Sequence, residues 1–578
     1  MSLIGTRTRC AAALMLPAIL ALGLTGCSDK DRPLFEEVAL AAGVDIVLTC
    51  GEAGAKQTIL EVNGNGVALA DLDQDGDLDI VLVDGSTRAR LVAGDSVHHH
   101  VLRNVGVVDG VPRFEAVGPG TGLEQTGWPT GIAVGDVDRD GLPDLLIGGL
   151  GEDALFLNRT VPGGMIRFEK RALPGRRSAR DWTTSIALAD ADADGHLDAY
   201  IARYLEIDPT DPPIGHVGDI PCRYHGIDVM CGPHGLPPQP DVLLMGTDDD
   251  AFFRDASVAS GVRAVPPAFG LGVLFMDLDL DGWPDLYIAN DSVPNTLLRN
   301  RGDGRFEDVS RLSGAANDLS GRPQAGMGVD AGDVDRDGDL DLVVTNFSDE
   351  SNALYRNDGG LLFRDVSAAM ALAAPSRDKL GWGVHLADFD SDGRLDLYVS
   401  NGHVYPQADD PRGAGGYAQK QQLFMGQPDG KFGPDVFADE RLWRGRASVR
   451  GDLDGDGDLD LLTLTLNGSP RLYLNRTDDP ARQMLVTLAD EHGPVPGASL
   501  SLQTATGPHI GQVMAGSSFQ ACSDPRLHIG GGATVTAARV IWPGGVVEEL
   551  DPAAMMSGHH VVVRRGHGIV RTLPLGTP

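Results

Sequence analysis

The sequence is poor in positive charge. Its 47 lysines and arginines stand against 82 aspartates and glutamates over 578 residues, a formal net charge of −35. A chain this acidic is repelled by nucleic acid and by anionic membrane surfaces, and seven bound divalent ions would still leave it negative. It has no G-x-S-x-G elbow, no H-E-x-x-H pair and no phosphate-binding glycine loop, so the usual signatures of serine hydrolases, zinc peptidases and nucleotide-binding enzymes are missing. Beyond an N-terminal run that is itself short for a bilayer span, nothing looks transmembrane. Cysteine is sparse as well, with 6 in the chain.

What the chain has instead is one acidic pattern, repeated. "DLDQDGDLD" begins at Asp71, "DVDRDGLPD" at Asp136, "DADADGHLD" at Asp190, "DLDLDGWPD" at Asp277, "DVDRDGDLD" at Asp333, "DFDSDGRLD" at Asp388 and "DLDGDGDLD" at Asp452. Neither chance nor an unspecific acidic patch keeps such a register. Closely spaced carboxylates repel, and a glycine at position six allows a sharp turn, which together describe a calcium loop of the D-x-D-x-D-G kind. An EF-hand needs a carboxylate at position twelve. Here that position holds Leu82, Ile147, Ile201, Ile288, Val344, Val399 and Thr463, which excludes it. The fourth side-chain ligand is expected at position nine, always Asp. The ligand sets are therefore Asp71, Asp73, Asp75 and Asp79; Asp136, Asp138, Asp140 and Asp144; Asp190, Asp192, Asp194 and Asp198; Asp277, Asp279, Asp281 and Asp285; Asp333, Asp335, Asp337 and Asp341; Asp388, Asp390, Asp392 and Asp396; Asp452, Asp454, Asp456 and Asp460. About seven Ca²⁺ ions are expected, fully ligated and therefore structural, without the open position a metal hydrolase needs.

The flanks of each loop read as strands. Short runs such as "DIVLV", "DLYIAN" and "DLVVTN" follow the loops, and another strand precedes each one. Five residues ahead of each first Asp stands a small residue, Gly66, Gly131, Ser185, Gly272, Gly328, Gly383 or Ala447, as inner strands crowded around a narrow channel require. "NTLLRNRGDGRFEDVS" and "NALYRNDGGLLFRDVS" add a third and a fourth strand. Four strands per unit at a period of about 55 to 65 residues predict an all-β, seven-bladed β-propeller with calcium-binding hairpin loops. The chain opens with a fourth-strand pattern, "LFEEVALAAGV", while the last repeat stops after "RLYLNR". Residues 34–48 should therefore close the ring within a propeller spanning 28–480.

Asp71 to Asn475 resembles the FG-GAP repeats of integrin alpha chains and bacterial surface proteins. The remainder, 481–578, with "GASLSLQTATG" and "WPGG" at Trp542 to Gly545, looks like the ASPIC and UnbV domain that follows such repeats in the cartilage acidic protein family. It departs from that pattern at "GPVPGAS" and "SSFQACS" and reads by itself as a small β domain of six or seven strands. At the other end, Leu24, Thr25 and Gly26 before Cys27 resemble the lipobox of bacterial lipoproteins. This implies a signal peptide over 1–27, with Cys10 lost and Cys27 lipidated. Ser28 in place of Asp implies an extracytoplasmic, outer-membrane location. In that oxidising setting Cys222 and Cys231 are the expected disulfide, with zinc held alongside His225 and His234 as the rival, while Cys50 and Cys522 either pair or stay free.

Two insertions, 203–240 and 401–421, fall on the face opposite the calcium loops, where function concentrates on a rigid scaffold. Trp128, Trp182, Trp382 and Trp443 stand just before inner strands on that face, and Tyr204, Tyr224, His225, His403 and Tyr405 lie in the insertions. They form either a stacking platform for a sugar or peptide, or packing between sheets. Two Arg-Gly-Asp triplets, Arg301 to Asp303 and Arg450 to Asp452, are products of the repeat, and His98 to His100 read as a solvent-facing strand end, with a transition-metal site as the rival. The expected function is a lipid-anchored module that binds a protein or polysaccharide at the cell envelope, touching the membrane through its anchor only and binding no nucleic acid. The alternative is a polysaccharide lyase or hydrolase on the same scaffold, with His403, Tyr405, Tyr224 and Arg223 as candidates. Chelation should lower the melting temperature strongly, because uncompensated carboxylates repel within each turn. Asp75→Ala alone should have a modest effect, loosening one sheet while six sites persist. Thermal melts with and without chelator check both, and an unchanged melt under chelation would sink the structural role of the ions.

Overall fold

The computed structural model describes residues 33–576 apart from 55, 163, 177, 414, 478, 479 and 533; the expected signal sequence and Cys27 lie outside the described residues. The repeats form seven successive antiparallel sheets, whose inner strands are Val67–Ala70, Trp128–Gly135, Thr183–Ala189, Gly270–Met276, Gly326–Gly332, Gly381–Ala387 and Gly445–Gly451. Each passes through its Asp-rich loop into a second strand that opens on the position-nine aspartate, from Asp79–Leu82 to Asp460–Thr465. In the last sheet the outermost strand comes from the beginning of the chain, with Phe35 opposite Asn475 and Glu37 opposite Tyr473. Each inner strand lies beside that of the next sheet, and Gly445–Gly451 lies beside Val67–Ala70. The architecture is all-β and propeller-like.

The small residues ahead of the loops sit where neighbouring inner strands nearly touch. A Cβ on Gly66 would lie 2.3 Å from the Thr130 carbonyl oxygen, one on Gly131 2.2 Å from that of Thr184, and one on Gly328 2.0 Å from that of Trp382. These are impossible contacts, so the spacing between adjacent sheets demands glycine there. In most sheets the inner pair also shifts register near this point, as between Gly326 and Val329 or Gly381 and Val384, a bulge that bends the strand away from its neighbour.

Residues after 483 build two more four-stranded sheets. One pairs Leu527–Ile529, Met484–Ala489, His559–Arg564 and Gly568–Pro574, and the other Gly507–Gln512, Ser499–Thr504, Val535–Trp542 and Val546–Leu550. The eight strands exceed the six or seven expected, because short polar strands such as Gly507–Gln512 carry little alternation to read. Between the sheets lies an apolar core centred on Trp542, Leu500, Val540 and Val561.

From this domain a finger, Met514 to Ser523, enters the centre of the ring. Leu188 N–H donates to the Ala515 carbonyl at 2.8 Å, and Val329 and Ser518 exchange backbone bonds at 3.0 and 2.8 Å. The Ser518 hydroxyl accepts from Val384 N–H at 2.8 Å, and Ala521–Cys522 runs parallel to Val67–Ala68 as a fifth strand of the first sheet. Inner strands of a ring have one unpaired edge, and buried unpaired amides are costly. The finger satisfies several of them at once. Its tip turns through Ser518 and Gln520, both at positive φ, and Phe519 reaches the far side, where its ring centre lies 4.8 Å from that of Trp382.

At Gly516, φ is +108° and a Cβ would lie 2.2 Å from the Ile186 carbonyl oxygen. Gly516→Val should therefore cost about 1–3 kcal/mol and expel the finger. Thermal denaturation combined with limited proteolysis across 514–524 checks this; a variant as stable and as protected as the parent would remove the finger from the account.

Candidate functional site

All seven Asp-rich loops share one backbone form. Position four has positive φ throughout, at Gln74, Arg139, Ala193, Leu280, Arg336, Ser391 and Gly455, and so does the glycine at position six. Position one holds the turn together: Asp71 accepts Asp75 N–H at 3.1 Å on one oxygen and Gly76 N–H at 3.0 Å on the other, and the next five loops repeat the pair. In the seventh, Asp452 accepts Gly455 N–H instead.

Position nine does a second job. Asp79 accepts Leu72 N–H at 3.1 Å from its own loop and Asn104 N–H at 2.9 Å from the third strand; Asp341 does the same with Val334 and Asn357. The third-strand asparagines then latch onto the preceding sheet. Asn158 donates from Nδ2 to the Leu72 carbonyl at 3.0 Å, Asn300 to Ala191 at 2.9 Å, and Asn475 to Phe389 at 2.7 Å. These asparagines were invisible as functional groups in the sequence, although the recurring pairs "RN" and "NR" were a signal. The adjoining arginines approach the acids too, Arg159 to Asp138 at 2.6 Å and Arg299 to Asp279 at 3.1 Å.

Position three shows what the loops lack within the protein. One buried carboxylate oxygen of Asp73, Asp138, Asp192, Asp279, Asp335 and Asp454 has no hydrogen-bond partner. In the first five loops three carboxylates offer oxygens within 4.8 Å of one another: Asp71, Asp73 and Asp75; Asp136, Asp138 and Asp144; Asp190, Asp192 and Asp194; Asp277, Asp279 and Asp285; Asp333, Asp335 and Asp337. Orphaned anionic oxygens converging at this distance fit a hard cation with oxygen ligands. Of the four positions expected to supply ligands, position one, three and five groups converge in some loops and position nine replaces five in others.

The Asp-rich face is also where the C-terminal domain sits. Arg336 at position four donates to Thr506 at 3.2 Å and lies 3.1 Å from the His509 ring, Arg139 lies 3.1 Å from that of His492, and Gly544 N–H donates to the Gly282 carbonyl at 2.9 Å. The "WPGG" turn is thus a contact to the fourth loop.

On the opposite face the insertions roof a cavity of about 490 Å³ lined by Tyr204, Phe347, Trp382, Tyr405, Asp291 and Glu350 among others. Cys222 and Cys231 are joined in a disulfide in its roof, which takes both sulfurs from zinc, and His225 pairs with Asp349 at 2.6 Å. Cys50 and Cys522 are each buried and unpaired. Tyr224, His403 and Tyr405 do converge, with ring centres 5.2 to 5.4 Å apart. His403, however, is fully buried; Tyr405 N–H donates to its Nδ1 at 3.0 Å and Ser348 Oγ lies 3.0 Å from its Nε2. Burial and the nearby Arg446 push its pKa down to about 3. Arg223 is exposed and paired with Asp228 at 2.9 Å.

Trp128 and Trp182 have no exposed surface, so no ring can stack on them; they pack between sheets with Leu150, Tyr204 and Phe519. Trp382 reaches the cavity floor, with the Arg446 guanidinium 4.4 Å from its ring. Trp443 stands apart, half-buried against Arg471 at 3.7 Å and Arg441 at 5.0 Å. The second Arg-Gly-Asp triplet is folded inward, with Arg450 3.0 Å from Asp330, while the first lies in the turn before Phe306–Asp308. Of the three consecutive histidines, His99 is buried and only His98 projects fully, since alternate residues of a strand face opposite ways.

This chain matches two family models over part of its length: residues 277–344 and 333–399 match the FG-GAP-like repeat, and 490–567 match ASPIC and UnbV. Its curated relatives include cartilage acidic protein 1 of Mus musculus, 25% identical over 568 residues that cover 92% of this chain and 77% of that one. Cartilage acidic protein 1 of Homo sapiens is 25% identical over 515 residues, covering 83% and 69%. Among solved structures, a rhamnogalacturonan lyase of Bacillus licheniformis aligns at a TM-score of 0.37 and 12% identity over 77% of this chain and 76% of that one. An Agrocybe aegerita lectin that recognises terminal N-acetylglucosamine aligns at 0.36 and 16% over 69% and 88%. Both scores are too low to bear on function.

Without a cation the loop carboxylates are forced toward protonation. Burial, with help from neighbouring carboxylates, raises Asp71, Asp136 and Asp190 to about 6, Asp277, Asp333 and Asp388 to about 7, and Asp396 to about 8. The folded chain then holds protons that the unfolded chain has released. The stability contributed is complete below the ordinary Asp value near 4 and is lost as pH rises through about 6 to 8. In chelator the melting temperature should fall across that window, and added Ca²⁺ should flatten the slope. A chelated melt that rises from pH 5 to pH 8 would contradict this.

Proposed function

We propose that this chain is a calcium-stabilised binding module, its seven sheets acting as the blades of one closed propeller, anchored outside the cytoplasm through lipid on Cys27. Its ligand is a protein or a glycan of the cell envelope, taken up on the face of the insertions. The observation that carries this reading is the division of the two faces. The C-terminal domain rests against the Asp-rich loops at Arg139, Gly282 and Arg336, whereas the opposite face holds a cavity of about 490 Å³, within the range of ligand sites, walled by aromatic side chains and a disulfide-bonded roof. Orphaned carboxylate oxygens at position three support Ca²⁺ as the stabilising ion.

Binding is favoured over lyase or hydrolase chemistry by the state of His403. A general base must reach a substrate proton, and this ring is buried with both nitrogens engaged. The test is to pass the soluble form, starting at Ser28, over polysaccharides and envelope proteins in Ca²⁺, scoring retention and new chain ends. Retention without new ends, weakened on the order of tenfold by Tyr405→Ala, is the expected result. New chain ends abolished by His403→Ala would instead establish an enzyme.

A further inference from the structure

The cavity has a charge character that its aromatic walls alone do not explain. Two carboxylates face it, Asp291 and Glu350. Asp291 accepts the Tyr204 hydroxyl at 2.5 Å on one oxygen and the Ser292 hydroxyl at 2.8 Å on the other. Glu350 accepts Ala325 N–H at 2.8 Å. All these donors are neutral. The cationic side chains in the lining are Arg223 and His234, both exposed at the rim, and Arg223 is paired with Asp228. Arg446 lies beyond Trp382, fully buried, with its donors given to the carbonyls of Val62, Gly402, Gly445 and His403. His234 acts on Asp291 and Arg322 on Glu350 from a distance, yet among the described residues neither acid forms an ion pair, so the interior of the cavity keeps two acids without a cation in contact.

The rings around those acids suit a cation as well. Tyr204 bonds Asp291 directly, and Phe347 and Tyr405 stand together with centres 6.1 Å apart. An organic cation gains from aromatic faces through their quadrupoles and from a desolvated carboxylate through charge. An anion would meet two like charges, and a neutral sugar would offer hydroxyl donors but no positive charge to offset them. Burial also holds both carboxyls above their usual range, Glu350 up to about 7, an unfavourable state that a bound cation relieves.

We infer that this cavity binds an alkylammonium group, placed among Tyr204, Phe347 and Tyr405 with Asp291 and Glu350 as its counter-charges. The inference rests on reading the insertion face as the ligand face, and names the chemistry that face selects. The ammonium belongs either to a choline-type head or to an amino sugar.

Calorimetry on the calcium-loaded full chain tests it with two matched pairs: choline against its uncharged carbon isostere 3,3-dimethylbutan-1-ol, and glucosamine against glucose. Preference for choline, for glucosamine or for both over the neutral partner is expected and distinguishes the two sources. Asp291→Asn and Glu350→Gln each keep one acceptor oxygen and remove the charge, and should each weaken the preferred cation on the order of tenfold; the change at Glu350, which uses one oxygen in its hydrogen bond, should do so with the melting temperature unchanged. Equal binding within each pair would overturn the inference, and so would a failure of both cations to bind. If the polysaccharide and protein panel still retained the chain in those cases, the binding-module reading would stand without it; a preference for the cation with no retention by the panel would do the reverse.

Discussion

Crowded carboxylates are the constraint on which the rest of this molecule depends. Each hairpin turn between inner and second strands carries four or five of them, and in six of the seven an oxygen at position three is buried without a partner. A desolvated anion of that kind is costly, and although arginines reach several of these carboxylates, as Arg159 does Asp138, the second oxygen stays open to a cation. The same aspartates fix the turn through backbone amides and, at position nine, tie the third strand to the loop. Compensating the charge and shaping the sheet are therefore one event. The third-strand asparagines pass that order to the preceding sheet.

A second constraint is the inner edge of the ring. The strands approach so closely that glycine is required between Gly66 and Thr130 or between Gly328 and Trp382, yet they still present unpaired amides to the centre. The finger from the C-terminal domain resolves this with small residues and a two-point turn at Ser518 and Gln520. Because its parent domain rests on the Asp-rich loops, the finger and the loops share one face. The opposite face is left to the insertions and their cavity, with Phe519 reaching through to support Trp382 at the cavity floor.

Much of this was legible in the chain. The loops, their number, the strands on either side, the small residues before them and the outermost strand at Phe35 all follow from local rules: like charges repel, glycine turns, and β-branched residues alternate. Which aromatics face a cavity was not legible. Trp128 and Trp182 stand eight residues before the first Asp of their loops and are sealed between sheets, whereas Trp382 stands six before and reaches the cavity; the neighbours that cover them come from distant parts of the chain, Phe519 among them.

The sequence by itself determined the repeat, the all-β class and the acidic turns, since each depends on residues within one hairpin of one another. Only the tertiary structure decided that "GSSFQACS" is a plug, that the "WPGG" turn touches the fourth loop, and that Asp291 and Glu350 share a cavity with Tyr204 and Tyr405. Those outcomes depend on ring closure, which brings together residues hundreds of positions apart, and no local preference of the chain encodes the angle at which its sheets meet.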